Sequence, residues 1–445
     1  MYRNSIGMLV PALLCALSGG VAWADGAAYA MTNALGNNEV LVYHRAADGN
    51  LSPATPIQRI STGGGGSGLQ LAGIDSLGSA GSVQLDRVNS LLFVVNTESA
   101  AENNGAGAYN QDCRQGTITS FRVAQDGVLT FADRVFSGGL YPNSLTLRKR
   151  GNGGNDTENG DLLYVLNAGG PGACGLSPNV TGFRVNSTGR LQPVGSQRNI
   201  DPGPASGSGV NCPPIGFAPA ADFACGLNPP SFPRSPAQVR FTPDGNQLVV
   251  TVKGTNAIYV FPVGANERLG NAVVTQAPGP ALPSFFGFTF DLNGHMLVTE
   301  LFGAATVIPA GGAGAVSSFQ VSNSGNLASI SSHVGDGGTA ACWIALDPIT
   351  GQFAYVANNL SNTISSYAVH ADGSVHLITA VAATGAGPND LSTAQENGAE
   401  FVYVLDAGTG TVGAFRISQA NGSLTALSGG SGLPVGAGAQ GLAAF

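Results

Sequence analysis

The stretch that decides the fold is ISSYAVHADGSV, residues 364–375, because six variants of it recur along the chain. Each copy has an aromatic residue, a polar turn that contains Gly, and a closing Leu or Val. In every copy but the first, an apolar residue lies two positions after the aromatic residue. The other copies are VLVYHRAADGNL (40–51), ITSFRVAQDGVL (118–129), VTGFRVNSTGRL (180–191), IYVFPVGANERL (258–269), VSSFQVSNSGNL (316–327) and VGAFRISQANGSL (412–424). Their aromatic residues are Tyr43, Phe121, Phe183, Phe261, Phe319, Tyr367 and Phe415. Such turns favour tight hairpins, so each copy predicts the outer hairpin of a β-sheet.

A second strand recurs before each hairpin. Its copies are YAMTN, FVVNT, YVLNA, LVVTVKG, MLVTE, YVANN and YVLDA. An innermost strand precedes it, as in SPAQVRFTPDG (235–245) and CWIALDPITG (342–351). Repeats of about 40 to 50 residues built from strands mark propeller blades. The sequence therefore predicts an all-β fold, a seven-bladed β-propeller of four-stranded antiparallel blades.

The two ends of the repeat pattern complement each other. The first unit starts with its second strand at Tyr29, whereas residues 439–445 read as an extra innermost strand. Pairing this strand into the first blade removes two exposed sheet edges. We therefore predict that the C-terminal strand closes the ring.

The first 24 residues have the order of a cleaved secretory signal peptide. Arg3 is followed by an apolar run, residues 6–17, and by Ala22-Trp23-Ala24. The alternative, an uncleaved membrane anchor, is disfavoured because the apolar run is short for a bilayer span. Residues 25–445 are then a single propeller domain of a periplasmic or secreted protein, outside the membrane after cleavage.

Composition narrows the class of partner. The formal net charge is -8, with 18 Lys and Arg against 26 Asp and Glu. So little basic surface argues against nucleic acid as a partner. We expect a monomer that takes a small-molecule substrate or a surface ligand.

Long insertions are expected on one rim of the propeller. They span 62–81, 97–116, 168–178, 198–234 and 301–314. Loops on a rigid scaffold tend to carry function, although loops also simply tolerate insertion. Four cysteines lie in these insertions, and an oxidising compartment favours disulfides Cys113–Cys174 and Cys212–Cys225 among three possible pairings. Cys342, on an innermost strand, is expected to be a buried thiol.

Aligning the repeats brings one residue per blade to the end of each second strand. These residues are Thr32, Asn96, Asn167, Lys253, Glu300, Asn358 and Asp406. The same alignment of innermost strands gives Gln84, Ser144, Gln238, Phe285, Cys342, Asp390 and Gly441. Together they predict a polar funnel at the channel mouth. Its expected substrate-binding residues are Asn96, Asn167, Gln238, Asn358, Asp390 and Asp406.

Lys253 and Glu300 differ most from the asparagines that recur at the ends of the second strands. Glu300 could act as general acid or base, with Lys253 as electrostatic partner of a carboxylate or developing oxyanion. The alternative is a structural ion pair between the two. Glu98 and Glu102 are secondary candidates.

No cofactor is expected. The histidines lack metal-ligand spacing, and the acidic turn 155–161 lacks the pattern of a calcium loop. No phosphate-binding loop or nucleophile elbow is present in the sequence. The expectation therefore includes neither a metal nor an organic cofactor.

The stretch YVANNLSNTISSYAVHADGSV, residues 355–375, resembles the lactonase family of seven-bladed propellers. That family includes bacterial 6-phosphogluconolactonases and fungal carboxymuconate-cyclizing enzymes. The resemblance implies the propeller fold and the opening or closing of a ring at the channel mouth. The family's Gly-Pro-Arg-His motif reads Ser235-Pro236-Ala237-Gln238 and Gly387-Pro388-Asn389-Asp390 here, without Arg or His.

Two functions remain open from the sequence. The first is an exported, cofactor-independent lactonase-like enzyme acting on a cyclic ester or a related unsaturated acid. A cytoplasmic phosphorylated sugar lactone is not the expected substrate, because the motif's Arg and His are missing. The alternative is a non-catalytic extracytoplasmic propeller that recognises a glycan, peptide or surface partner through its rim loops.

Overall fold

The chain forms seven four-stranded antiparallel sheets, called blades 1 to 7 in chain order. The computed structural model describes residues 25–68, 77–98, 115–148, 161–169, 177–201, 235–253, 255–276, 285–301 and 314–445. These residues contain 28 strands and no helix, so none of them provides a helix able to cross a membrane. The predicted all-β, seven-bladed propeller is confirmed.

The strands are numbered β1 to β28 along the chain. The innermost strands of blades 1 to 7 are β28 (Leu442–Ala444), β4 (Val83–Asp86), β8 (Pro142–Arg148), β12 (Pro236–Phe241), β16 (Phe285–Phe290), β20 (Ala341–Leu346) and β24 (Pro388–Glu396). The second strands are β1 (Gly26–Met31), β5 (Leu91–Asn96), β9 (Asp161–Asn167), β13 (Gln247–Val252), β17 (His295–Glu300), β21 (Phe353–Asn358) and β25 (Ala399–Asp406).

The third strands carry the aromatic residues that defined the repeat. They are β2 (Glu39–Arg45), β6 (Gln115–Val123), β10 (Asn179–Val185), β14 (Ala257–Pro262), β18 (Ala315–Val321), β22 (Thr363–Val369) and β26 (Thr411–Ile417). The outermost strands are β3 (Gln58–Ser61), β7 (Leu129–Leu140), β11 (Leu191–Asn199), β15 (Val273–Gln276), β19 (Leu327–Gly335), β23 (Val375–Thr384) and β27 (Leu424–Ser431).

Burial follows the position of a strand in its blade. Second strands such as β5 (LLFVVN) are buried at every residue, because a neighbouring blade packs on each face of the sheet. The outermost strand β15 (VVTQ) alternates between half-buried and exposed residues, as expected of an edge strand facing water. The hydrophobic core therefore lies between blades.

The C-terminal strand closes the ring, as predicted. Strand β28 pairs antiparallel with β1, with Ala28 opposite Ala444 and Ala30 opposite Leu442. The Arg45 guanidinium donates a hydrogen bond to the Phe445 carbonyl (2.5 Å). Both edges that the sequence left open are thus paired.

Side chains of the innermost strands join neighbouring blades. Innermost strands have no ladder partner on the channel side, so their N–H groups need other acceptors. Polar side chains of the preceding blade accept from them: Ser144 from Val239 (3.2 Å), Thr146 from Phe241 (3.3 Å), Gln238 from Phe288 (2.6 Å), Asp390 from Leu442 (3.0 Å) and Ser392 from Ala444 (3.0 Å).

Tyrosines of the second strands make a further connection between blades. Each hydroxyl donates to a turn carbonyl of the next blade: Tyr29 to Gly127 (2.9 Å), Tyr164 to Glu267, Tyr355 to Gly422 and Tyr403 to Gly49 (each 2.8 Å). Burial raises the pKa of all four phenols, which keeps them protonated as donors. The turn residue Gly127 has φ +81°, a conformation that glycine adopts readily.

Several predictions fall outside the described residues. They concern the signal peptide (1–24), the disulfides of Cys113, Cys174, Cys212 and Cys225, the side chain of Glu102, and residues 155–160 of the acidic turn.

Candidate functional site

The asparagines predicted to line a funnel instead lie inside their blades. Asn96, Asn167 and Asn358 are fully buried and donate hydrogen bonds to third-strand side chains. The acceptors are Thr117 (3.1 Å) and Thr119 (3.0 Å) for Asn96, Asn179 (3.0 Å) for Asn167, and Ser365 (2.7 Å) for Asn358. None of the three asparagines belongs to the described residues that line the channel.

Asp406 occupies the same position in blade 7. Its side chain is buried, and no described residue gives its Oδ1 a hydrogen bond. Desolvation raises the pKa of this carboxyl to about 7, because burial penalises the charged form. Asp406 is thus a less favourable residue at this buried position than the asparagine of other blades.

The repeat alignment needs correction at three points, one of which is Phe285, equivalent to Pro236 and not to Gln238. In blade 5 Glu300 is opposite Phe285, but in blade 4 the equivalent residue, opposite Pro236, is Val252. Lys253 therefore lies one residue beyond the position of Glu300. The innermost strands of blades 3, 4, 6 and 7 share a β-bulge that skips one residue, which is Cys342 in blade 6 and Asn389 in blade 7. Trp343, and not Cys342, is therefore equivalent to Asp390.

Lys253 is directed at the chain segment that enters blade 2. It is fully buried, donates through Nζ to the Gly78 carbonyl, and lies 4.9 Å from the ring centroid of Phe286. A cation over an aromatic face is favourable when desolvated. These two contacts hold the Lys253 side chain against residues 77–81.

Residues 77–81, here called the cap segment, lie across the upper end of the channel. The Ser79 hydroxyl donates to the Asn143 carbonyl (2.6 Å). The Ser79 carbonyl accepts from the indole of Trp343 (3.0 Å) and the amide of Gln440 (2.5 Å). The cap segment therefore bonds to blades 3 and 6 and to the chain leading into β28, on the rim predicted to carry the long insertions.

The central channel is a cavity of about 390 Å³. Ala80 and Gly81 of the cap segment line its upper part, while Arg87, Leu292 and Pro348 line its lower part from the turns that follow innermost strands. Its open mouth is consequently on the face opposite the cap segment. Of the predicted site residues, Gln238 and Asp390 line this channel.

Glu300 forms a carboxylate–imidazole pair with His333. Its Oε2 lies 2.5 Å from His333 Nδ1, and its Oε1 accepts from the Ser317 hydroxyl (2.5 Å). Glu300 is fully buried, whereas 41% of the His333 side chain is exposed. His333 is therefore a partner of the Glu300 carboxylate, whereas Lys253 contacts the Gly78 carbonyl and the Phe286 ring.

Local irregularity in blade 5 brings these groups together. Strands β18 and β19 shift register twice around Ser318, and His333 has φ +51°. The His333 backbone N–H donates to the Ser317 hydroxyl (3.0 Å), which in turn donates to Glu300. Bulges are common where a side chain has to be re-aimed.

The pair has the geometry of a general base. A carboxylate on Nδ1 fixes the tautomer and orientation of an imidazole and stabilises the imidazolium that forms when Nε2 takes a proton. The His333 imidazole is partly exposed, unlike the Glu300 carboxylate that it contacts. His333 was not predicted as a site residue from the sequence. The signal that could have identified it is its position on the outermost strand β19, across β18 from the end of β17.

Of the secondary candidates, Glu98 lies among the described residues and has a structural role. Glu98 pairs with Arg134 (2.5 Å) and accepts from the Gly65 N–H (3.2 Å). Among the described residues no group of three or more His, Cys, Asp or Glu side chains is arranged to hold a metal ion.

Comparison with known sequences points to one family. Residues 304–439 match the family model described as lactonase, 7-bladed beta-propeller. Over these residues the chain resembles the seven-bladed lactonases. The matched region includes His333 but not Glu300. A comparison with curated proteins gives no match.

Solved structures with the same fold cover nearly the whole chain. A putative 6-phosphogluconolactonase from Bacteroides fragilis is 16% identical with a TM-score of 0.59, covering 95% of this chain and 97% of the other. The periplasmic gluconolactonase of Pseudomonas aeruginosa is 18% identical with a TM-score of 0.60, covering 94% and 99%. At these identities the likeness establishes the fold alone.

Proposed function

We propose that this protein is an extracytoplasmic lactonase-like hydrolase that opens a cyclic ester without a cofactor. The observation that carries the proposal is the buried Glu300 carboxylate on Nδ1 of the partly exposed His333. The family match over residues 304–439 supports the reaction class. The signal-like residues 1–24, and the likeness to a periplasmic gluconolactonase, support export.

The pair can drive hydrolysis through proton transfer. His333 Nε2 takes a proton from water as the water oxygen attacks the lactone carbonyl carbon. Glu300 stabilises the resulting imidazolium, and Ser317 keeps the carboxylate in place. When the tetrahedral intermediate collapses, the ring C–O bond breaks and the imidazolium returns the proton to the leaving alkoxide. The product is an open-chain hydroxy acid.

The proposal assigns different roles to the two residues predicted to be catalytic. Glu300 remains in the chemistry as the partner of the base. Lys253, bonded to the Gly78 carbonyl and packed over Phe286, is assigned to anchoring the cap segment. An unphosphorylated lactone is the favoured substrate, because neither copy of the family motif keeps its Arg or His.

The test is turnover of a lactone panel by the chain from residue 25 onward, with released acid titrated in a pH-stat. We expect hydrolysis by the native protein and a loss of about 100-fold or more in His333→Ala. The matched control is His295→Ala, because His295 also binds a carboxylate, Asp291 at 2.7 Å, in the same blade. It should retain turnover.

Two results would count against the proposal. Full turnover in His333→Ala would remove the imidazole from the reaction. No turnover of any lactone by the folded native protein would favour the alternative, a propeller that recognises a glycan, peptide or surface partner.

A further inference from the structure

Two buried carboxyl groups face each other where blade 6 packs against blade 7, near the lower end of the channel. Asp347 directly follows β20, and Glu400 is the second residue of β25. Only 2% of Asp347 and 1% of Glu400 is exposed to solvent. Their side chains share a hydrogen bond. Because two carboxylates can only accept, this bond requires a proton on one of the two groups.

The hydrogen bonds around the pair assign the proton to Glu400. Asp347 accepts from the N–H groups of Gly351 (2.9 Å) and Phe353 (2.8 Å), and such donors stabilise the ionised form of a carboxyl group. Glu400 Oε1 accepts from the Ile349 N–H (2.8 Å), whereas its Oε2 is buried and has no donor among the described residues. Glu400 is therefore the acid of the pair, and Asp347 is the carboxylate.

The groups packed around the pair do not neutralise it. Neither carboxyl forms an ion pair with a described Lys, Arg or His side chain. The buried Tyr355 phenol faces both carboxyls, and burial raises its pKa so that it stays neutral. The side chain of Gln419, which lies beside Glu400, is also neutral. In the neighbouring turn of blade 5, Asp291 is paired with His295 at 2.7 Å. The charged side chains that line the channel together with Asp347 are Arg87, Arg240 and Asp390.

The pair fastens the turn 347–351 of blade 6 to blade 7. The Ile349 N–H of this turn donates to Glu400 on β25, and Asp347 at its start bonds to the same side chain. On the other side Gly351 lies close to Leu292 of blade 5. Asp347 and Pro348 line the lower part of the channel. A movement of this turn would therefore change the shape of the open mouth.

We propose that Glu400 and Asp347 form a proton-dependent latch, which holds the turn 347–351 against blade 7 and releases it when Glu400 loses its proton. Deprotonation removes the shared hydrogen bond and leaves two like charges in contact in a buried site, which is unfavourable. The latch lies on the face opposite the cap segment and does not involve the Glu300–His333 pair. It is therefore independent of the proposed hydrolase.

The direction of the pH effect follows from the two pKa shifts. Burial and the contact with Asp347 raise the pKa of Glu400 above its ordinary value of 4.5. Its contribution to stability is complete below pH 4.5 and is lost as the pH rises through the raised value. Although burial opposes it, the bond from Glu400 and the N–H donors hold the pKa of Asp347 below 3.8. The latch is thus firm at mildly acidic pH and weakens towards alkaline pH.

The test is amide hydrogen exchange of the full propeller at pH 5 and pH 9, with each rate corrected for the intrinsic effect of pH. The reporting amides are those of Ile349 and Gly351, which donate to the two carboxyls. We expect their protection to fall about 10- to 100-fold between pH 5 and pH 9. The internal control is the equivalent turn of blade 4, where the Asn246 N–H donates to Asp244 (3.1 Å). Protection there should not change.

Glu400→Gln should make the latch independent of pH. Its amide can donate to the Asp347 carboxylate and still accept from the Ile349 N–H at both pH values. The matched control is Glu39→Gln, which removes a carboxylate that pairs with Arg59 (3.3 Å) in blade 1 and should keep the native response. Asp406, with a pKa of about 7, titrates in all three proteins, so its effect cancels in the comparison.

A second variant guards against misfolding of the first. In Asp347→Asn the amide can donate to an ionised Glu400, so the pH dependence should again disappear, although the turn is weaker at both pH values because one acceptor oxygen is lost. Equal protection of the Ile349 and Gly351 amides at pH 5 and pH 9 in the native protein would overturn the inference. The same pH-dependent loss in the native protein and both variants would overturn it as well.

Discussion

The Asp390 carboxylate of blade 7 accepts a hydrogen bond from the backbone N–H of Leu442 at 3.0 Å. Two residues further along, Ser392 accepts from Ala444 at the same distance. The closing strand is thus held on one side by the β1 ladder and on the other by side chains of the preceding blade. Ring closure depends on both.

Removal of residues 439–445 should abolish the cooperative fold. The deletion exposes the edge of β1. It also removes the Phe445 carbonyl, which accepts a hydrogen bond from Arg45, and the Leu442 N–H, which donates one to the Asp390 carboxylate. We expect aggregation on size-exclusion chromatography and no single thermal transition. Ser392→Ala, which removes one acceptor, should cost only about 1 kcal/mol. A soluble, cooperatively unfolding deletion variant would contradict this account.

Glu300→Gln should abolish turnover while the fold survives. The amide has the same shape and can still accept from Ser317, but it cannot stabilise an imidazolium on His333. We expect kcat to fall by about 10²- to 10⁴-fold, with little change in thermal midpoint. Native-like kcat in this variant would exclude Glu300 from the mechanism.

Lys253→Met should lower the free energy of unfolding but leave kcat nearly unchanged. Methionine can still pack on Phe286, but the Gly78 carbonyl loses its donor, at a cost of about 1–3 kcal/mol. Chemical denaturation measures this loss, and kcat should stay within a few fold of native. A collapse of kcat at unchanged stability would instead support the predicted role of Lys253 as an electrostatic partner.

Asp406→Asn should stabilise the protein at alkaline but not at acidic pH. The pKa of the Asp406 carboxyl is 3.8 in its ordinary state and about 7 in the fold. Between these values the unfolded chain has lost its proton and the folded chain has not. Stability therefore falls as pH rises towards 7 and levels off above it.

At pH 8 the gain in Asp406→Asn should approach an upper bound of about 4 kcal/mol, since each pKa unit corresponds to about 1.4 kcal/mol. Thermal unfolding at pH 4 and pH 8 measures it. Asn358→Asp, the equivalent position in blade 6, should show the opposite change. An equal gain at both pH values would rule out the buried carboxyl as the cause.

The blades could be predicted from sequence because their signals are local. Each hairpin has its own aromatic residue and turn glycine within about a dozen residues, and repetition makes the weak individual signals decisive. The closing strand followed from the same count. The direction in which a side chain points was not predictable in this way. Asn96 and Asn358 were correctly predicted to be polar residues at the ends of strands, but not to be buried donors to the third strand.

The candidate site depended on geometry that a repeat alignment does not contain. The innermost strands share a bulge, which makes Trp343, one residue beyond Cys342, the equivalent of Asp390. The register shifts of blade 5 bring His333 to Glu300. The cap segment belongs to the insertion predicted at residues 62–81. Its bonds to Trp343 and Gln440 could be found only in three dimensions.

The pairing of β1 with β28 also sets an order for biosynthesis. Strand β1 leaves the ribosome early, yet its partner is synthesised only after all the other strands. The nascent chain must therefore keep the open edge of β1, whose other edge pairs with β2, from aggregating while six further blades are made. A chaperone that shields this edge would influence yield more than any change to the finished ring.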